Sequence, residues 1–291
     1  MPIVKKRPTK KKPIARGFKG AKIRKSISAW DRIEPIGFDE EDGIKINLYG
    51  KSGTGKTTLW STFPAPILAI ICSGGDKPGE LRSINTLANR KRIKQVVVRN
   101  CNEVQELVAR QREEKVFATV VLDHGSGLQD LALKEILGLD ELPAQGSWGM
   151  ASRQDWGQCA LQMKERFRSL LSLDCNVVIV AQEREFNTDS DNEILMPYVG
   201  SALTPSVTGW LAPACDYICQ TFIKQKTEEL RTKVKGRVHI SSRKVDGVDY
   251  CLRTGPHETF MTKFRLPKGV KLPEFVVDPD YDKLKALIEG E

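Results

Sequence analysis

The chemistry of this chain is concentrated in Gly50-Lys51-Ser52-Gly53-Thr54-Gly55-Lys56-Thr57, which fits G-x-x-x-x-G-K-[ST] at every fixed position. That pattern is a phosphate-binding loop, or P-loop. Its glycines let the backbone turn so tightly that N–H groups point inward around a β-phosphate. Lys56 brings a charge to the β- and γ-phosphates, and the Thr57 hydroxyl is placed to ligate Mg²⁺. Residues Gly50 through Thr58 are therefore the expected cradle for ATP with Mg²⁺. A second signal is Phe117-Ala118-Thr119-Val120-Val121-Leu122-Asp123, an apolar run that delivers an aspartate at its end. An acid at the carboxyl end of a strand that follows a P-loop is placed to hold the metal. Asp123 could instead cap a helix, because residues 128–137 have helical character.

These residues need elements to position them. Ile44 to Tyr49 alternates in polarity and predicts a strand, and Thr57 to Phe63 predicts the helix after the loop, stopped by Pro64. Pro66 to Cys72 is nearly continuous in apolar character, as buried parallel strands are. A third strand is expected at 95–98, an amphipathic helix at 102–113 and a long helix at 152–173. Residues 175–181 form another buried strand that ends in Gln182-Glu183. The stretch 184–208 is rich in Asn, Asp, Ser, Pro and Gly and reads as long and irregular. From residue 216 the pattern turns to β, with strands at 217–224, 238–244 and 248–253 and Asp246-Gly247 as a hairpin turn. A short helix closes the chain at 279–288. The fold class is α/β, a P-loop domain with a mostly parallel central sheet and an antiparallel β extension on its C-terminal side.

The 291 residues carry a net charge of +9, unevenly spread. Residues 1–25 hold eleven basic residues and no acid, while the remainder holds 35 basic against 37 acidic. Residues 1–29 read as a basic disordered arm ahead of a domain at 30–291, with a core at 43–223 and a β extension and final helix at 224–291. Lys10, Lys11 and Lys12 of the arm are candidate DNA phosphate contacts, against the plainer reading of a solvated tail. No apolar run approaches 18 residues and no signal-peptide pattern is present, so the expectation is a cytoplasmic protein without a membrane partner. Seven scattered cysteines without a C-x-x-C pair argue against a disulfide framework or a zinc ribbon. Cys215 and Cys219, four apart, could share a helix face as small buried residues.

Strand, P-loop and helix, a strand ending in Asp123, a loop and helix, then a strand ending in Gln182 resemble the core of RecA-like ATPases. In that family a polar residue at the Gln182 position senses the γ-phosphate, and two loops line single-stranded DNA. By order these match residues 139–149 and 184–208, the second beginning at Arg184. The chain is more closely similar to small phage-encoded, AAA-family ATP-binding proteins of the Sak single-strand-annealing group. Gly74-Gly75, Asp123, Asp216-Tyr217 and Lys263-Phe264-Arg265 carry that likeness, over about residues 43–290. The resemblance implies a Mg-ATP hydrolase, stimulated by single-stranded DNA, that assembles as a homo-oligomeric ring or filament with phage recombination or replication partners.

Two departures bear on catalysis. RecA-like proteins carry a catalytic glutamate after the second core strand, where this chain has Ser73; Glu80, Asp76 or Glu183 could take its place. Asp123 is followed by His124, which removes the Asp-Glu pair and argues against an AAA+ motor. Lys263 and Arg265 are either a finger reaching a neighbouring subunit's γ-phosphate or two exposed edge charges. His239 and His257 have no visible partners and read as structural or solvent-facing. Two other functions are a nucleotide-gated DNA- or partner-binding protein with little hydrolysis and a small-molecule or nucleotide kinase.

Overall fold

Runs of β-branched and aliphatic residues build the centre of the molecule. The computed structural model describes residues 43–72, 80–139, 151–186, 189–190, 193–194, 197–234, 237–266 and 269–290. The basic arm, the acidic segment 31–42, Ser73 to Asp76 and nearly all of 139–149 lie outside them. Five strands come from the first part of the chain: β1 (Lys45–Gly50), β2 (Ile67–Ile71), β3 (Ile93–Val97), β4 (Thr119–Asp123) and β5 (Asn176–Phe186). Every residue of β1, β2 and β4 is buried; β2 and β4 read as nearly unbroken apolar runs, whereas β1 alternates because it buries Lys45 and Asn47 as well. Two-residue strands β6 (Asp189–Ser190) and β7 (Glu193–Ile194) pair with each other, and β8 (Tyr198–Ser201) returns antiparallel along β5. The later strands are β9 (Tyr217–Val234), β10 (Arg237–Arg253), β11 (Lys263–Phe264) and β12 (Phe275–Val277).

The main sheet runs β12-β10-β9-β1-β5-β4-β2-β3. From β9 to β3 all neighbours are parallel, and β10, β11 and β12 add antiparallel pairs on the β9 side. This is the expected α/β architecture. Helices α1 (Lys56–Trp60) and α7 (Tyr281–Glu289) pack on one face through Leu59, Trp60 and Leu284. The other face takes α3 (Cys101–Glu114), α4 (Gly125–Leu137), α5 (Arg153–Leu171) and α6 (Pro205–Ala214), with Val104, Leu128, Phe167 and Leu211 in its core; α2 (Leu87–Arg92) leads into β3. Asn100 caps α3 by accepting from the Glu103 amide, and Ser152 with Asp155 forms a capping box on α5.

Several expectations change. Residues 184–208 are not one irregular stretch: β5 continues to Phe186, β8 pairs back along it, and α6 begins at Pro205. Pro205 at the first helical position suits a helix start, but Gly209 and Pro213 hide the helix from pattern reading. Asp246-Gly247 is not a hairpin turn. The register shifts there between Lys244 and Val248, and the Gln225 side-chain amide donates to the carbonyls of Val245 at 2.7 Å and Gly247 at 3.1 Å. The pair therefore forms a bulge inside β10, and the chain reverses further out, where Val234 pairs with Arg237. β9 consequently passes straight through residue 223, so the core and the β extension share a strand. Cys215 and Cys219 do not share a helix: one caps the end of α6 and the other lies in β9. All seven cysteines are buried, and none forms a disulfide.

Gly127 shows how tightly α4 meets the sheet. A Cβ built there would fall 1.8 Å from the Cys72 carbonyl oxygen, a backbone atom that cannot rotate away. Gly127→Ala should lower the unfolding free energy by about 1–3 kcal/mol, the usual cost of overpacking, or more. Urea unfolding checks this through a lower midpoint at an unchanged slope.

Candidate nucleotide site

β1 ends at Gly50, held in register with Gln182 of β5 on one side and Thr221 of β9 on the other. A Cβ at Gly50 would meet the Thr221 carbonyl oxygen at 2.3 Å, so only glycine fits between the neighbouring strands. Gly55, at φ 89°, takes the left-handed conformation that turns the loop into α1. Between them Thr54 Oγ1 donates to the Lys51 carbonyl at 2.8 Å and lies 2.7 Å from Thr221 Oγ1, which ties the loop to β9. Lys56 is 7% exposed, and its Nζ donates to the carbonyls of Gly50 and Lys51, each at 2.7 Å. Burial pulls the Lys56 ammonium below the ordinary lysine range, while Asp123 and Glu183 pull it back up.

Asp123 ends β4 on the same sheet face as α1 and is 5% exposed. Its Oδ2 accepts from Trp60 Nε1 at 3.0 Å and lies 3.5 Å from Thr57 Oγ1. Burial raises this carboxyl above the usual aspartate range, against the Trp60 hydrogen bond and the nearby His124, Lys56 and Thr57. Asp123 does not cap α4. That role falls to His124, whose Nδ1 accepts from the Gly127 amide at 2.8 Å. Burial lowers the His124 pKa against the pull of Asp123, so the imidazole is neutral. The pair of Thr57 hydroxyl and Asp123 carboxylate fits Mg²⁺, which takes few protein ligands and completes its shell with water and phosphate oxygens. The described residues contain no cluster of three His, Cys, Asp or Glu side chains able to hold a metal.

A cleft of about 760 Å³ opens over the loop, lined by Gly53 to Thr58 together with Asp123, His124 and Gln182. Its outer wall is Tyr250, Asp278 and Pro279. The Tyr250 ring lies 3.2 Å from where a Gly55 Cβ would be, and its carbonyl accepts from the Asp278 amide at 2.7 Å. Asp278 adopts φ 47°, unusual for a residue with a side chain. Sequence reading missed Trp60, Tyr250 and Asp278. Only the return of β10 and β12 beside β9 brings the last two to the loop.

Gln182 and Glu183 part company. Strand alternation turns Gln182 to the α1 side and Glu183 to the opposite side. Glu183 sits 3.7 Å from Lys51 Nζ and accepts from Gln220 Nε2 at 3.2 Å. Gln220 in turn accepts from Arg253 Nε at 3.1 Å, and Arg253 lies between the rings of Phe222 and Phe260 and bonds Glu274 at 2.8 Å. This chain lines a second cleft of about 740 Å³ that shares Lys51, Ser52, Thr54 and Gln182 with the loop.

The remaining candidates lie apart. Glu80 opens a 3₁₀ turn, Glu80–Ile84, whose Ser83 lines the nucleotide cleft; the Glu80 side chain is outside the described residues. Arg184 is exposed on β5 beyond the sheet, 5.5 Å over the Phe186 ring. Lys10, Lys11 and Lys12 fall outside the described residues. Lys263 Nζ donates to the carbonyls of Ala212, Pro213 and Cys215, and Arg265 bonds Asp216 and the Pro213 carbonyl. Both therefore satisfy the end of α6 at the amino end of β9, away from this chain's own P-loop. His257 accepts from the amides of Thr259 and Phe260, a turn-stabilising part.

A family model described as an AAA domain matches residues 42–266. That span holds the P-loop, Asp123, Gln182 and the whole β9–β10 pair. The match stands although His124 occupies the position where AAA+ motors place the glutamate of their Asp-Glu pair. No curated protein matches the chain.

Because the folded-state pKa of Asp123 lies above its ordinary value, folding disfavours the ionised form. That penalty is present at neutral pH and is relieved as the pH falls through the folded-state pKa. Asp123→Asn keeps an acceptor for Trp60 and should unfold at higher urea than the parent near pH 7 without Mg²⁺ or nucleotide. The difference should shrink toward acid. The variant should also lose most of the stabilisation, about 2.7 kcal/mol at a hundred times Kd, that a bound ligand gives the parent.

Proposed function

The chain belongs to the AAA-domain family of P-loop, nucleotide-binding ATPases, and we propose that it hydrolyses Mg-ATP in response to single-stranded DNA. In this reading it serves phage or mobile-element recombination or replication as an oligomer, in the manner of the Sak-type proteins it resembles. The observation that carries the reading is the pairing of Gly50 with Gln182. It puts one polar side chain in the nucleotide cleft at the point where β5 leaves the sheet to pair with β8.

Each residue then has a defined task. Backbone amides of residues 51–56 and the buried Lys56 ammonium would surround the phosphates, as fixed donors and charge that act on the transition state. Thr57 and Asp123 would hold Mg²⁺, which neutralises charge on the β- and γ-phosphates when bound. The Tyr250 ring, beside Gly55 in the cleft lining, would contact the bound nucleotide. Gln182 answers to the γ-phosphate. Its own carbonyl accepts from the Ala202 amide at 2.7 Å, so a shift of Gln182 passes directly into the β5–β8 pair that carries Arg184. The switch is thus a strand pair with one end at the phosphate and the other beyond the sheet.

A second reading, a nucleotide-gated DNA- or partner-binding protein with little hydrolysis, draws on two observations. Glu183 is engaged by Lys51 and Gln220, and the residue after Asp123 is a histidine whose Nδ1 is committed to the Gly127 amide. Multiple-turnover ATPase assays with and without single-stranded DNA separate the two. Stimulated turnover supports hydrolysis, and a rate at or below one turnover per bound nucleotide supports gating.

Lys56→Ala should reduce turnover by roughly 10²-fold or more, because backbone donors cannot replace the lost charge. Unchanged nucleotide affinity and turnover in the folded variant would show that the loop is not the site. The water-activating acid is testable by two substitutions. Glu80→Gln should cut kcat by orders of magnitude with Mg-ATP affinity kept, and Glu183→Gln should be nearly silent, if Glu80 is the base. The reverse result assigns the role to Glu183, and normal turnover in both removes each from the chemistry.

A further inference from the structure

The 3₁₀ turn Glu80–Ile84 is shared by two openings. Ser83 lines the nucleotide cleft, whereas Leu81, Arg82 and Ile84 line a third cleft of about 260 Å³. This one lies against α2 and β3, the strand that ends the sheet. Its apolar part is Leu81, Ile84 and Ile93, all in or packed against the core on the α1 face. Its polar part is Arg82 and Arg90 with the amides of Asn85, Asn89 and Gln95, and no described acid lines it.

Residues 81–102 hold six Lys and Arg residues and no Asp or Glu, whereas the rest of the chain beyond residue 25 holds 29 basic against 37 acidic. Two of the six are already employed. Arg92 bonds the carbonyls of Ser61 and Phe63, and the Arg99 amide bonds Glu103, which keeps that arginine beside an acid. Arg82, Arg90, Lys91 and Lys94 are exposed, and none forms an ion pair among the described residues. Arg90 Nε donates to Asn85 Oδ1 at 2.8 Å, which orients that guanidinium without neutralising it. A basic residue on an edge strand deters edge-to-edge pairing, and Lys94 fills that role on β3. Arg82, Arg90 and Lys91 stand on helical turns, where no strand edge needs guarding.

The amides narrow the choice of ligand. Asn89 Nδ2 donates to the Ile84 carbonyl at 2.8 Å, which leaves Asn89 Oδ1 as an acceptor; Asn85 Nδ2 is left as a donor, and Gln95 offers one of each. A nucleobase edge carries donors and acceptors side by side, whereas the carboxylates of an acidic peptide only accept. Cations around an apolar, amide-lined cleft thus match a phosphodiester chain that carries an unpaired nucleobase. A duplex keeps its bases stacked and paired, out of reach of such a cleft.

We propose that this cleft binds a nucleotide of single-stranded DNA, with the strand's phosphates on Arg82, Arg90 and Lys91, and that occupancy acts on the nucleotide site through the shared 3₁₀ turn. Glu80, the candidate water-activating acid, opens that turn two residues before Arg82, so a strand held by Arg82 constrains where Glu80 can stand. The coupling rests on the ATPase reading above; the binding does not.

The test uses the full-length chain and a fluorescent thymidine oligonucleotide of about 20 residues, longer than the roughly 4–16 nucleotides that a single-strand site covers. The triple variant Arg82→Gln, Arg90→Gln, Lys91→Gln should bind it about tenfold or more weakly near 0.1 M salt, and its log–log salt slope should fall in magnitude by about 0.7 per lost contact. The charge-keeping triple variant Arg82→Lys, Arg90→Lys, Lys91→Arg should keep the slope. Gln95→Lys should steepen it, a gain that misfolding cannot imitate. At oligonucleotide concentrations that saturate the parent, the ratio of ATPase rates with and without the strand should fall toward one in the Gln variant. Unchanged affinity and slope in that variant would overturn the proposal and leave the charges as a solvated face. Equal losses on single strand and duplex would overturn the choice of an unpaired nucleobase. Binding lost with the stimulation ratio intact would overturn coupling through the turn. Parent protein that binds the oligonucleotide through these residues yet hydrolyses no ATP would uphold the cleft and refute the ATPase reading. Stimulated hydrolysis with unchanged binding in the Gln variant would do the reverse.

Discussion

Gly50 is hydrogen-bonded on both sides, to β5 through Gln182 and to β9 through Thr221, and the geometry of the site follows from that double pairing. A strand end held from two sides cannot move without breaking two ladders, so the loop that follows starts from a fixed point. The close approach of Thr221 excludes any side chain at this position, and Thr54 is tied to the same residue. The two clefts meet at this point, sharing Ser52, Thr54 and Gln182. Insertion of β5 between the P-loop strand and the Asp123 strand is what gives one polar residue access to the phosphates and to an extension of the sheet.

The electrostatics of the cleft are set by burial. Lys56, Asp123 and His124 are all shifted toward their neutral forms by lost hydration, and their mutual interactions recover part of that cost. The Asp123 carboxylate is supported by the indole of Trp60 and the neighbourhood of His124 and Lys56, against the burial that raises its pKa. A divalent cation and a polyphosphate, in the function proposed above, would supply the partners that the protein alone does not. The same logic places the Glu183–Gln220–Arg253 chain on the other side of the sheet edge, where each charge is already engaged. Arg253, held between two aromatic rings, braces β10 against β5 and leaves Glu183 restrained beside the loop.

The β5–β8 pair and the β9–β10 ribbon both leave the sheet next to the nucleotide cleft. Both strands β5 and β9 flank β1, so a change at the P-loop has two direct mechanical outlets. The bulge at residues 245–247, secured by Gln225, adds twist to the ribbon near its root and so helps to set its direction.

The sequence by itself determined the P-loop, the parallel core strands and Asp123 at a strand end. Those features are written in consecutive residues, through glycine placement and unbroken apolar runs. It also marked Gln182 by its order after Asp123, because strand ends in such sheets gather on one edge. The tertiary structure alone decided the rest. Trp60 meets Asp123 across 63 residues and Arg253 meets Gln220 across 33, contacts that no local pattern encodes. Tyr250 and Asp278 reach the loop only because β10 and β12 fold back beside β9. Lys263 and Arg265 read either as a finger for a neighbouring subunit or as exposed edge charges; only the fold shows that α6, itself obscured by Gly209 and Pro213, presents carbonyls that both of them hold. Asp246-Gly247 read as a turn because its local propensity is that of a turn. A ladder of cross-strand hydrogen bonds on both sides, with Gln225 satisfying the displaced carbonyls, outweighed that preference and made it a bulge.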